Sequence, residues 1–205
     1  MHTIEEQFIA GNRDMLGEVF SLHSPRLWQI IRFRMDAKIR ARVDVDDVLQ
    51  DVFMDAQARV EAFFKGEFQS VFLWLRLVTS QTLSKVHRTH LGTELRAVTR
   101  EKNANLRGHW PDCSLSLSFQ FVAHMTSPSG VAVREEVQTQ IHQALECMSD
   151  LDQEIVALRH FEELSNQEVA AVLGISNKAA SIRYVRALER LRLALSRMPG
   201  FVPPS

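Results

Sequence analysis

Cysteine is scarce in this chain: Cys113 and Cys147 are the two present, far apart and in no CxxC pair. That excludes a disulfide-stapled scaffold and fits a reducing, cytoplasmic compartment. Proline (6 residues) and glycine (8) are few for a chain of 205, which excludes collagen-like and low-complexity architectures. No apolar run approaches the roughly 20 residues that span a bilayer, so no membrane partner is expected. Met1-His2-Thr3-Ile4-Glu5-Glu6 lacks the basic start and apolar stretch of a signal peptide. Internal repeats are absent. So are a glycine-rich phosphate loop, a G-x-S-x-G turn and paired carboxylates in a pocket-like context. The sequence therefore reads as a non-enzyme that needs no cofactor.

What is present leans helical. Hydrophobic residues make up 45% and charged residues 24%, enough apolar material for one ordinary domain or two small ones. Leu, Ala, Arg, Glu and Gln, all good helix formers, are plentiful. The net charge of −1 argues at first against nucleic acid. Its distribution reverses that impression. Residues 26–42 carry +5, residues 44–55 carry −5, residues 137–168 carry −6 and residues 177–197 carry +5. A chain sorted into blocks like this offers acid to one partner and base to another.

The first ninety residues read as helices. Ile4, Phe8, Ile9, Leu16, Val19, Phe20 and Leu22 recur at mostly helical spacing. Ser24-Pro25 reads as a helix start. Asp44 or Asp46 caps a third helix whose first turn is acidic, where the helix dipole favours it. Val48, Leu49, Val52, Phe53, Ala56 and Val60 form its apolar stripe. Residues 63–67 read as a loop, and residues 71–91 as another helix with Phe72, Leu75, Val78, Leu83 and Val86 apolar. The stretch 92–130 is rich in Gly, Pro and Ser and reads as a linker, longer than a connection within one compact domain usually is. It holds one short helix near 94–103 and an apolar patch of Leu115, Leu117, Phe119, Phe121 and Val122.

The last block is well punctuated. Residues 131–148 read as one helix, and Ser149 or Asp150 caps a second that ends near Phe161. Ser165-Asn166-Gln167-Glu168 is a capping box. Gly174 ends the short helix that follows, as a left-handed residue does. Ser176 then caps the final helix, which runs to about Arg197. A short helix, a three-residue turn and a second helix form a helix-turn-helix. Ala170 is small at the crossing, and Val169, Leu173, Ile175 and Ile182 are placed to fill the crevice. The second helix carries Asn177, Lys178, Ser181, Arg183, Tyr184 and Arg186, a set suited to base edges and phosphates in a major groove. The bland reading of the same residues is a helical hairpin with a solvated basic face. The acidic helices before it would be free to meet a basic protein partner.

Two blocks resemble the extracytoplasmic-function group of the sigma-70 family of bacterial RNA polymerase sigma factors. Residues 8–91 look like sigma region 2, with Asp46-Asp47-Val48-Leu49-Gln50-Asp51-Val52-Phe53 as their best segment. Residues 141–195 resemble region 4, through Leu151-Asp152-Gln153-Glu154-Ile155-Val156-Ala157-Leu158-Arg159, Leu164-Ser165-Asn166-Gln167-Glu168-Val169-Ala170 and Leu173-Gly174-Ile175-Ser176. Arg183, Arg186-Ala187 and Leu191-Arg192 close that block. The resemblance implies an all-α chain of two small helical domains. Region 2 (1–91) would bind core polymerase and melt the minus-ten element. A linker (92–130) would join it to region 4 (131–198), which reads the minus-35 element. The implied partners are core RNA polymerase, through its beta-prime clamp helices and beta flap, promoter DNA and an anti-sigma factor.

The resemblance also carries residues. Asp47, Gln50, Asp51 and Met54 share one helix face and would meet the clamp helices, where charge pattern alone reads a solvated acidic face. Loop 63–70 and the following helix would capture a flipped base of the minus-ten element by aromatic stacking. Phe64 and Lys65 are candidates there. Trp74 is another, although the family's Trp at this place is largely a core residue. Gln81 stands where many members have Asn. Arg76, Lys85 and Arg88 would hold the non-template strand by its phosphates. Asn177, Lys178, Ser181, Arg183 and Arg186 would read the minus-35 element. Two rival readings compete. His87, His90, His109 and Cys113 have spacing that suits zinc. A helix-turn-helix regulator would bind operator DNA without polymerase, as a dimer on two half-sites.

Overall fold

The computed structural model describes residues 3–66, 68, 70–91, 141, 143–145 and 148–196. The chain divides into two compact units, and every regular element among the described residues is helical. The N-terminal unit holds α1 (Ile4–Ile9), a 3-10 turn (Arg13–Met15), α2 (Leu16–Arg34), α3 (Ala37–Arg40), α4 (Val45–Ala58), α5 (Val60–Lys65) and α6 (Val71–Leu91). The C-terminal unit holds α7 (Asp150–His160), α8 (Asn166–Leu173) and α9 (Asn177–Ser196).

In the N-terminal unit, α2, α4 and α6 pack against one another. Their facing positions bury Leu27, Ile31, Val48, Val52, Leu75 and Leu83 almost completely, each worth about 1.5–3 kcal/mol against exposure. Thr3 opens α1 with a capping box: its hydroxyl accepts from the Glu6 amide at 3.2 Å, and the Glu6 carboxylate accepts from the Thr3 amide at 2.9 Å. Asp44 caps α4 by accepting from the Asp46 amide at 3.1 Å. In the C-terminal unit α7 and α8 both pack on α9, around Ile155, Leu158, Val169, Ala180 and Ala187.

Several sequence expectations are corrected. Ser24-Pro25 does not start a helix: α2 runs through it with Pro25 inside. An internal proline forfeits a helical hydrogen bond at a cost of about 3 kcal/mol. Burial of Leu16, Val19 and Phe20 before it and Leu27, Ile30 and Ile31 after it offsets that loss. Residues 63–65 are not loop but the last turn of α5. The break falls at Arg59, where α4 ends and the next helix restarts because Phe63 buries against Phe8 and Trp74. Leu22 is 57% exposed and Ile182 43% exposed, so neither fills a core. The linker, its apolar patch, most of the helix at 131–148, His109 and Cys113 lie outside the described residues.

Candidate nucleic-acid interface

The N-terminal unit presents two candidate faces. The first is on α4. Val48, Val52 and Ala56 point inward, which leaves Asp47, Gln50, Asp51 and Met54 exposed together at i, i+3, i+4 and i+7. Met54 is 60% exposed. No cation pairs with Asp47 or Asp51 among the described residues. The expected face is therefore formed, with an apolar residue at one end.

The second is built from α5, the turn after it and α6. Phe8, Phe63, Phe64 and Trp74 form an aromatic cluster with ring centroids 5.0–6.4 Å apart. Trp74 is its buried centre and a core residue. Phe64 is half-buried, with the Arg13 guanidinium 5.7 Å from its ring centroid. Lys65 is exposed. Phe68, which sequence reasoning missed, is 37% exposed and lies parallel to Phe63 at 6.0 Å. Its signal was an aromatic residue in a turn just past a glycine. Gly66 is required there: a Cβ on it would meet the Phe68 ring at 2.6 Å and the Ala62 carbonyl at 2.9 Å.

Along α6, Gln81, Lys85 and Arg88 are exposed and share one stripe. Arg76 departs from expectation. It is 2% exposed, turned into the helix bundle, and so is not a surface cation for a phosphate. Lys85 and Gln81 are already engaged by α4. The Lys85 ammonium donates to both Asp55 carboxylate oxygens, at 3.0 and 2.8 Å, and the Thr82 hydroxyl donates to Asp55 at 2.7 Å. Arg59 lies 3.7 Å from the same carboxylate and donates to the Gln81 amide oxygen. Burial alone would raise the Asp55 pKa. The hydrogen bonds from Lys85 and Thr82 and the charges of Lys85 and Arg59 outweigh it, so the carboxyl titrates below its usual value. Asp55 and Arg59 thus position two candidate DNA-facing side chains, a role the sequence hid inside a general acidic run.

At the end of α6, His87 is part-buried and its Nε2 has no partner among the described residues. Burial depresses its pKa below 6.5, against an opposing pull from Asp36.

The C-terminal unit carries the helix-turn-helix. The Ser165 hydroxyl accepts from the Glu168 amide at 3.2 Å, and the Glu168 carboxylate accepts from the Ser165 amide at 2.7 Å. Gly174 sits at φ 64°, ψ 34° and closes α8. The Ser176 hydroxyl accepts from the Ala179 amide at 3.1 Å and opens α9. Asn177, Lys178, Ser181, Arg183 and Arg186 are all exposed on α9. Neither Arg183 nor Arg186 has an ion-pair partner among the described residues. Asn177 is tied down: its carbonyl accepts from the Asn166 side-chain amide at 2.8 Å, and that amide also reaches its side-chain oxygen. Arg190 instead pairs with Asp152 and pins α9 to α7.

That pair corrects the reading of the acidic block. Asp152, Glu154 and Glu162 are no more than 3% exposed, so much of the block is internal structure rather than a free acidic face. The arrangement holds cations and amides on two faces where nucleic acid can be bound, and acids on a third.

The Sigma-70, region 4 family matches residues 138–191, the stretch that contains the helix-turn-helix. The chain is 23% identical over 190 residues to the ECF RNA polymerase sigma factor SigW of Bacillus subtilis, covering 93% of this chain and 94% of that protein. It is 24% identical over 194 residues to the ECF RNA polymerase sigma factor SigD of Mycobacterium tuberculosis, covering 94% and 82%. The fold is similar to that of CnrH, solved in complex with the cytosolic domain of CnrY, with a TM-score of 0.51, 22% identity and coverage of 94% and 95%.

Proposed function

We propose that the chain is a member of the extracytoplasmic-function group of the sigma-70 family and acts as an alternative sigma factor. It joins core RNA polymerase, directs it to one promoter class and performs no catalysis itself. The observation that carries this reading is that the similarity to such factors runs through both helical units rather than through the helix-turn-helix alone. An operator-binding regulator would need only the latter.

In this reading the N-terminal unit, residues 1–91, binds the beta-prime clamp helices through Asp47, Gln50, Asp51 and Met54. Their shared exposure, and the lack of a cation paired with Asp47 or Asp51 among the described residues, support that role. Lys65, Phe64, Gln81, Lys85 and Arg88 hold the opened minus-ten strand. Extruding a base costs a few kcal/mol, which stacking and phosphate contacts must offset. Lys85 reaches a phosphate by exchanging its Asp55 partner for it. The C-terminal unit, within residues 131–198, docks α9 at the minus-35 element and meets the beta flap, and residues 92–130 link the two. Arg183 and Arg186 supply phosphate affinity, with Asn177, Lys178 and Ser181 nearer the helix N-terminus where base edges are read. CnrH was solved with the cytosolic domain of CnrY; for this chain an anti-sigma factor is proposed as a protein partner. The site of action is the cytoplasm.

The clamp assignment is tested by the double substitution Gln50→Ala, Asp51→Arg. Both positions are exposed, so the fold survives. Affinity for core polymerase falls about tenfold or more, the equivalent of an interfacial charge pair of about 1.5 kcal/mol. Unchanged core affinity would remove the assignment.

A further inference from the structure

Where α2 ends and the chain turns through α3 into α4, an open cleft of about 400 Å³ lies between Trp28 and Arg32 on one side and residues 40–45 on the other. Three features set it apart. The Trp28 ring is fixed, its indole N–H donating to Asp46 at 3.0 Å. The Arg32 guanidinium lies over that ring, 5.5 Å from its centroid. Arg40 and Arg42 are exposed on the opposite lip, and no carboxylate pairs with either among the described residues.

Other cations of the chain are paired. Arg13, Arg59, Lys85 and Arg190 each have an acidic partner. The nearby acids are committed elsewhere: Asp44 accepts from the Asp46 amide, Asp46 holds the indole, and Asp36 accepts from the Lys38 amide at 2.7 Å. Like charges gathered on one lip repel until an anion joins them. Guanidinium groups bind phosphate oxygens in a fork. An indole with a cation beside it offers a surface on which any base stacks.

We propose that this cleft is a nucleotide subsite, in which Trp28 and Arg32 take the face of a base and Arg40 and Arg42 take the adjoining phosphate. The same chemistry is supplied by one nucleotide of a DNA single strand or by a free nucleotide. In its strand form the proposal rests on the reading of this unit as a holder of opened DNA, yet it involves none of the residues assigned to that role above.

The test uses the full chain and two probes, a labelled oligo-dT and a fluorescent ATP analogue, over a range of salt. The background is Arg183→Ala, Arg186→Ala, so that α9 contributes little. Adding Arg40→Ala and Arg42→Ala lowers the slope of log affinity against log salt by about 0.7, the value for the one single-strand phosphate they share. Trp28→Leu weakens binding about fivefold or more without changing that slope, because stacking carries no charge. Trp28→Phe retains most of the affinity, which separates loss of the ring from loss of the Asp46 hydrogen bond. These effects on oligo-dT alone identify a strand as the source. The same effects on the ATP analogue identify a free nucleotide. If the arginine variants bind both probes as the parent does, the subsite is refuted. If they lose salt dependence while Trp28→Leu changes nothing, the cleft is a bare phosphate contact and the nucleotide assignment is refuted. Lys85→Ala, Arg88→Ala, measured in parallel, reports on the strand-holding face separately, so failure of one does not mimic failure of the other.

Discussion

At the residue scale, single side chains hold the candidate interfaces in shape. Gly174 is one. Its positive φ is a conformation that L-residues adopt only at a cost of about 1 kcal/mol or more. Gly174→Ala is expected to destabilise the C-terminal unit by about that amount, read as a lowered melting temperature, while Gly174→Asn retains more stability because Asn tolerates the left-handed region. Equal melting of parent and Gly174→Ala would mean that the turn is not under this constraint. His87 is another. Its folded pKa lies below 6.5, so below that pH the unfolded chain binds a proton that the folded chain excludes. Stability therefore rises with pH through this window and is lost as pH falls from about 6.5 downward. His87→Leu is expected to flatten this dependence when urea midpoints are compared at neutral and mildly acidic pH. Parallel curves for parent and variant would contradict it. Neither burial of His87 nor burial of Arg76 is legible in sequence. Both lie on a long helix, and only the placement of α2, α3 and α4 around it decides which polar positions are covered.

At the element scale, the helix-turn-helix was the most legible part of the molecule. Ser165, Glu168, Gly174 and Ser176 are local signals whose partners lie within four residues, and the structure forms each of those bonds. The start of α4 at Asp44 was legible for the same reason. Pro25 misled because local preference was overridden by burial along the rest of α2. Residues 63–65 misled because the aromatic contacts that restart α5 come from Phe8 and Trp74, distant in sequence. Charge blocks were informative where side chains stay outside, as on α9, and uninformative on α7, where Asp152 and Glu154 are internal. The exposure of Arg183 supports a phosphate contact. Arg183→Ala is expected to weaken promoter binding by the polymerase complex and to reduce the salt slope by about 0.9, one duplex phosphate. Core affinity stays unchanged. Loss of core affinity instead would place the polymerase interface on α9.

At the scale of the whole molecule, two small helical units divide the labour. One offers an acidic face on α4 next to a cationic stripe on α6, with Asp55 and Arg59 joining the two through Lys85 and Gln81. The other offers exposed cations and amides on α9, the helix proposed to enter a major groove. The near-neutral total charge conceals this, because basic and acidic blocks cancel in the sum but not in space. Two-unit organisation was legible from the composition shift after residue 91 and from the separate helical patterns on either side. The Asp55 network was not, because its members are spread from residue 55 to residue 85 and none has a motif of its own. The account as a whole requires that neither unit be sufficient: promoter use depends on core polymerase and on both interfaces. Run-off transcription with purified core polymerase on fragmented genomic DNA, with and without this protein, tests that claim most directly. The account predicts discrete new transcripts that share two spaced upstream elements and that vanish with Gln50→Ala, Asp51→Arg. Tight, sequence-specific binding of duplex DNA in the absence of polymerase, with no new transcripts in its presence, would contradict it.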